Sequence, residues 1–288
     1  MLRSARKGEL IEFSTPDKLI LHGFLMRPAR KSSACIVYVH GMGGNFYKSR
    51  LYMDIAGAAA KKGFASFVIN TRGHDSVSKV YGPRKKLMLG TNLERFEDCV
   101  ADITGALRAL RMLGFRTFVL VGHSTGCQKI AYYQYTKKDP SVRALVLLAP
   151  ADDYAVWKKR LGKKFGAVVR LCKTLVRRRK GDETRKEIPR GFSAQRFLSV
   201  ADPGRVETRL FDYEGPLKEF SSITTPMFAA FGSKEEYAVK QVKTYLDLLE
   251  KRTTSKRFTK RIVKNADHGF WKHEHEVADA VVDWLQKT

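Results

Sequence analysis

The chain has 288 residues, 43% apolar, 11% aromatic and 29% charged, a composition that fills a large core and excludes a disordered polyelectrolyte. No apolar run approaches the ~18–20 residues that cross a bilayer, and the charged start, Met1 to Lys7, has no apolar stretch behind it, so neither a membrane anchor nor a secretory leader is expected. Fifty-four Lys plus Arg against 29 Asp plus Glu give a net charge of +25, which draws in polyanions and anionic small molecules.

Glu9 to Phe13 and Leu19 to Met26 flank a Ser-Thr-Pro-Asp-Lys turn and predict a β-hairpin. Ala34 to Val39, Phe64 to Asn70, Thr117 to Val121, Ala144 to Ala149 and Pro226 to Phe231 are short, nearly continuous apolar runs, the pattern of strands covered on both faces. Around them lie helix-period segments, Leu51 to Lys62, Asn92 to Leu113, Thr125 to Thr136, Glu236 to Lys251 and Trp271 to Gln286. Strand and helix alternating in this way predict an α/β fold, a mostly parallel sheet wrapped by helices.

The alternation breaks between Ala151 and Ser222, where helical patches in Tyr154 to Leu175 and a polar stretch from Arg177 to Gly191 replace any core-strand run. The expected organisation is one core domain, residues 1–150 and 223–288, with residues 151–222 inserted as a lid or cap. Residues 151–200 hold 15 basic against 5 acidic side chains, and Ala155 to Gly181 has eleven basic residues and no acid. Such a segment reads as a solvated face or as a surface that meets anions. Nucleic acid is not the expected partner, because no recognition motif accompanies the charge. The four cysteines, Cys35, Cys99, Cys127 and Cys172, lack the spacing of a zinc site or a disulfide framework and read as reduced thiols in a cytoplasmic protein.

Gly122-His123-Ser124-Thr125-Gly126 fits G-x-S-x-G between an apolar strand and a helix-period segment. There a serine on a sharp turn projects its hydroxyl above the sheet, and the following helix aims unpaired N–H groups at it. Such a nucleophile needs a base and an orienting acid, in the order Ser, Asp or Glu, His. His268, in the loop Asn265 to Phe270 after the strand-like Arg257 to Val263, is the candidate base, while His273 and His275 fall in a polar helix-period segment and read as surface residues. Glu235, at the exit of the Pro226 to Phe231 run, is the candidate acid, with Glu236 in reserve; Asp267 is too close in sequence to meet His268 head to head. The glycine-rich His40 to Asn45 follows another strand, and the N–H groups of Met42 and Thr125 are the candidate oxyanion donors. Cys127, three residues past the serine, reads as a small packed side chain.

Taken in order, H-G-x-G-G-N at His40, Asn70-Thr71-Arg72-Gly73-His74, G-H-S-x-G and D-H-G-F at Asp267 resemble the α/β-hydrolase superfamily over nearly the whole chain apart from the basic insertion. The lidded cinnamoyl or feruloyl esterases and the siderophore-esterase-like branch are the most similar, on Phe192 to Leu198, Arg205 to Tyr213 and G-S-K-E-E-Y. Glu235 stands where the family more often has Asp, and Asn70 where Asp is frequent. The resemblance implies a Ser124–His268–Glu235 triad that cleaves small carboxylic esters, aryl, cinnamoyl or anionic, through an acyl-enzyme without metal or organic cofactor. Residues 151–222 follow a strand and so emerge at the carboxyl end of the sheet, where a lid would cover the acyl cleft with Tyr154, Trp157, Phe165 and Phe192 as aromatic walls, while Lys158, Lys159, Arg160, Lys163, Lys164 and Arg177 to Lys180 would concentrate anionic esters. Lactone, thioester or siderophore-type ester hydrolysis on the same scaffold, and polyanion binding, are the alternatives.

Overall fold

Five apolar runs align as parallel strands because each is covered on both faces and can leave water only in the middle of a sheet. They are β3 (Ala34–Val39), β4 (Ala65–Ile69), β7 (Thr117–His123), β8 (Val142–Leu148) and β9 (Met227–Gly232). The computed structural model describes residues 7–287, so of the N-terminal stretch Met1 to Lys7, where no leader is expected, all but Lys7 lies outside the described residues. Among these residues, ten strands form one sheet in the order β10 (Phe258–Val263), β9, β8, β7, β3, β4, β2 (Ile20–Met26), β5 (Ser78–Tyr81), β6 (Lys86–Leu89), with β1 (Glu9–Ser14) paired to β2. β10 through β4 are parallel, and β2 joins antiparallel to β4. The edge strand β10 carries exposed Lys260 and Arg261, charges that discourage edge-to-edge pairing.

Helices α1 (Arg50–Lys61), α2 (Cys99–Met112), α3 (Thr125–Lys137), α9 (Val242–Arg252) and α10 (Glu274–Gln286) flank the sheet. Three begin later than their periodicity predicts. Residues 92–95 stay in a loop whose Glu94 carboxylate turns inward to a buried ion pair, and a single 3-10 turn, Phe96–Asp98, precedes α2. Residues 236–241 are held out of α9 while Glu235 and Glu236 accept hydrogen bonds from His268 and Tyr237. α10 cannot extend back to Trp271 because Phe270 and Lys272 sit at φ 54° and 67°. A hairpin that hydrophobic runs do not announce, β5 (Ser78–Tyr81) and β6 (Lys86–Leu89), extends the antiparallel edge around a Gly82-Pro83 turn.

Residues 151–222 contain helices and no strand: α4 (Asp153–Leu161), α5 (Phe165–Arg177), α6 (Ala194–Ala201), α7 (Val206–Leu210) and α8 (Lys218–Ser221). They divide by what they bury. Val168, Cys172, Leu175, Phe192 and Phe197 form a small core of their own, whereas Leu210, Phe211, Leu217 and Phe220 belong to the main core. A buried ion network joins the two parts. Lys129 on α3, fully buried, binds Glu94 at 2.8 Å; Arg196 on α6 reaches Glu94 at 3.4 Å and grips Glu207 on α7 with both guanidinium nitrogens, at 2.5 and 2.8 Å. Ser199 adds a hydrogen bond to Glu207 at 2.6 Å. Arg72 makes a second cluster under the antiparallel edge, with Asp102, Asp17 and Asp98.

Buried charges of this kind contribute little net stability while paired and cost much when one partner is removed. Glu207→Ala is therefore expected to lower the unfolding free energy by about 3–5 kcal/mol, because it removes the two short bonds of the buried Arg196 guanidinium and leaves it only the longer contact to Glu94. Urea titration reads this directly. A loss below ~1 kcal/mol, the size of an exposed pair, would contradict it.

Candidate active site

Ser124 is the hinge between β7 and α3 and adopts φ 54°, ψ −129°, a conformation costly for a residue with a side chain. Close backbone packing holds it there. A Cβ on Gly122 would lie 2.4 Å from the Gly126 carbonyl oxygen, and one on Gly126 would lie 2.2 Å from that of Val39. The Ser124 N–H donates to Leu148 O at 2.9 Å, fixing the turn to the end of β8. Cys127 is fully buried, its thiol directed to the carbonyls of Gly122 and Leu148, and burial pushes its pKa well up, so it is an inert packing residue.

The His40 to Asn45 loop runs against this turn: a Cβ on Gly41 would come within 2.9 Å of Ser124 Cβ. His40 is buried, and burial pushes its pKa down to about 3, so the ring is neutral. Its Nε2 accepts from the Thr71 N–H at 3.0 Å, which leaves Nδ1–H to donate to Gly41 O at 2.8 Å. The Gly44 N–H also donates to that carbonyl, at 3.1 Å. In a planar trans peptide the Met42 N–H must point the opposite way. Among the described residues neither the Met42 nor the Thr125 N–H donates to a protein acceptor, and both residues line the cavity that contains Ser124.

His268 enters the same cavity from the loop after β10. A Cβ on Gly232 would lie 2.3 Å from Ala266 O, so the end of β9 and this loop touch through backbone. The imidazole Nδ1–H donates to Glu235 Oε1 at 2.8 Å, which leaves Nε2 as the acceptor nitrogen. Glu236, the reserve acid, instead accepts the backbone N–H of His268 at 2.9 Å. Asp267 turns away and accepts from the Trp271 N–H. His273 and His275 lie at the start of α10 and do not line the cavity. His123 is a positioning group that the motif alone does not reveal. Burial and the neighbouring His268 push its pKa down to about 3, and its Nε2–H donates to the carbonyl of His268 at 2.8 Å. Ser124 and His268 are not joined by a direct hydrogen bond; such contacts are often long in an empty site and tighten around substrate.

The cavity measures about 410 Å³, in the range of small-molecule sites. Its roof is α4, which turns Asp153, Val156, Trp157 and Arg160 inward at i, i+3, i+4 and i+7. The expected aromatic walls are corrected accordingly. Trp157 lines the cavity, but Tyr154 lies off that face with its ring 5.6 Å from Phe165, and Phe192 is buried in the insertion's own core, 5.2 Å from Trp157 and 5.8 Å from Phe197. The basic residues expected near the cleft, Lys158, Lys159, Arg160, Lys163, Lys164 and Arg177 to Lys180, are all exposed, and of them Arg160 alone lines the cavity. A larger depression of about 940 Å³ opens at the opposite, amino end of the strands, beside Ala34, Thr117 and Val142, away from all of these groups.

A family model for the alpha/beta hydrolase fold matches residues 35–191. No curated protein matches the sequence. Among solved structures, the siderophore hydrolase EstB from Aspergillus fumigatus superposes with a TM-score of 0.71 at 15% identity, over 100% of this chain and 99% of that one. Est1E from Butyrivibrio proteoclasticus, with ferulic acid bound, gives 0.64 at 15% identity over 96% and 98%. Carboxylesterase CesB from Bacillus subtilis gives 0.60 at 17% identity over 98% and 93%. At these identities the likeness is one of fold.

Asp153 accepts from Gln128 Nε2 at 3.1 Å, and burial, with Glu207 nearby, pushes its pKa from 3.8 up to about 8. The folded chain therefore keeps a proton that the unfolded chain releases, and stability falls as pH rises from about 4 to about 8. Asp153→Asn removes this dependence. Urea unfolding of the variant relative to the parent is expected to improve between pH 5 and pH 8, by no more than ~1.4 kcal/mol per pH unit. Parallel pH profiles for the two proteins would contradict the assignment.

Proposed function

The chain belongs to the alpha/beta hydrolase fold family, and from that premise we propose that it is a serine hydrolase of carboxylic esters, working through an acyl-enzyme. The observation that carries this reading is the 2.8 Å bond from His268 Nδ1 to Glu235, in a cavity that also contains the strained Ser124 and two backbone N–H groups without acceptors. Ser124 Oγ attacks the ester carbonyl while His268 Nε2 takes its proton. Negative charge gathers on the former carbonyl oxygen, where the N–H groups of Met42 and Thr125 receive it. The imidazolium then protonates the leaving alcohol, and water repeats the cycle on the acyl-enzyme. Glu235 stabilises the imidazolium and fixes its tautomer; its second oxygen, Oε2, is buried with no donor among the described residues, so the imidazole is the main partner for its charge.

The helices of 151–222 serve as a cover in this reading, and the part that acts as a lid is α4 and α5, while α6 is tied by Arg196 to Glu94 and Glu207 and α7 and α8 are fastened to the main core. An aryl or other ring-bearing group is the proposed neighbour of Trp157. We assign the protein to the cytoplasm, a reading supported by four free, buried cysteines. Among the described residues no helix is long and apolar enough to cross a membrane.

Ser124→Ala and His268→Ala are each expected to lower kcat/KM on simple esters by at least about a thousandfold, and the double variant to be little worse than either, because the residues act as a unit. Glu235→Gln is expected to cost about a hundredfold or more. Glu236→Gln should cost less, since an amide oxygen still accepts the His268 N–H. Ester turnover retained in Ser124→Ala would overturn the mechanism, and greater damage from Glu236→Gln would reassign the acid.

A further inference from the structure

Arg160 is the one Lys or Arg among the residues lining the cavity, and among the described residues it makes no ion pair. Two other guanidiniums of residues 151–222 hold carboxylates, the buried Arg196 that of Glu207 and the half-buried Arg209 that of Glu219, whereas Arg160 is exposed. Arg160 is instead held by rings. Its guanidinium carbon lies 5.4 Å from the centroid of Trp157 and 5.0 Å from that of Tyr237, and the Tyr237 ring lies 4.5 Å from the ring of His268. The cation therefore stands one aromatic ring away from the proposed base.

Rings that cover the face of a guanidinium leave its edge, where the N–H groups lie, for an acceptor in the same plane. A carboxylate matches that edge with two parallel hydrogen bonds. The cavity's own carboxyl does not fill the role. Asp153 lies seven residues earlier on α4 and bonds Gln128; burial pushes its pKa up to about 8 although the Arg160 charge acts on it in the opposite sense, and among the described residues no ion pair joins the two.

We propose that the cavity selects esters bearing a free carboxylate remote from the scissile bond, with Arg160 binding that carboxylate between Trp157 and Tyr237. This rests on the ester-hydrolase reading for its reaction but not for its binding site. Long-range attraction by the +25 charge also favours anions, so the test must separate one contact from a diffuse field.

The probes are monoethyl adipate and its neutral counterpart diethyl adipate, compared as a ratio of kcat/KM. The parent is expected to prefer the monoester at least tenfold. Arg160→Gln should bring the ratio close to one, and Arg160→Lys, which keeps charge but loses the fork, should fall between. Replacing the exposed run Arg177 to Lys180 with glutamines should change the ratio less than Arg160→Gln does. A parent ratio near one, or an equal or larger effect from the exposed run, would overturn the proposal. Calorimetric binding of monoethyl adipate to Ser124→Ala, with and without Arg160→Gln, supplies a readout independent of turnover. Arg160-dependent binding without hydrolysis of either ester would support the carboxylate site and defeat the ester-hydrolase reading. Hydrolysis of both without preference, and binding indifferent to Arg160, would do the reverse.

Discussion

Ser124 is kept at positive φ by three backbone approaches that only glycine permits, Gly122 on Gly126, Gly126 on Val39, and Gly41 on Ser124 itself. A strained turn of this kind costs on the order of 1–3 kcal/mol and persists because its surroundings over-determine it. The surroundings here are the carboxyl ends of β3, β7 and β8, brought level by parallel pairing. Once the turn is fixed, the amino end of α3 and the Met42 peptide are fixed with it, and Met42 and Thr125 line the cavity that contains Ser124. The histidine side obeys a matching constraint. His268 is held by carboxylates at its ring and its backbone N–H and by His123 at its carbonyl, so its position owes little to the loop's own rigidity.

Charge is used in two separate ways. Inside, Lys129, Glu94, Arg196 and Glu207 form a network with almost no access to water, and it pins α6 and α7 against α3, the helix that begins at Ser124. Outside, most of the basic residues of α4 and α5 are solvated and unneeded for packing. The insertion thus has a fastened end and a less fastened one, and the less fastened one carries Trp157 and Arg160 over the cavity. Arg160 is exposed like its neighbours on α4, but its guanidinium lies against the Trp157 and Tyr237 rings at the cavity.

The core strands were legible because burial on both faces forces continuous apolar runs, and β3 begins and ends at the residues the pattern names. The serine turn and the histidine loop were legible because glycines and punctuation mark them. Other features depend on which way a helix faces once it is packed, and that is a tertiary fact. Tyr154 and Trp157 look equivalent in sequence, yet α4 directs one to Phe165 and the other into the cavity. Phe192 was drawn into the insertion's own core by Trp157 and Phe197. His40 and His123 carried no signal beyond their places in motifs, because their roles lie in hydrogen bonds to distant backbone, at Thr71 and His268. Sequence put Glu235 ahead of Glu236 without a reason for the order: both reach His268, Glu235 at the ring and Glu236 at the backbone N–H.

The account turns on Ser124 being an activated nucleophile, a property that can be read without knowing the substrate. Intact mass of the protein after exposure to a fluorophosphonate tests it most directly. The account predicts a single adduct, mapped to Ser124 by peptide sequencing and absent from Ser124→Ala. An unmodified parent protein, or an adduct that persists in Ser124→Ala, would contradict it.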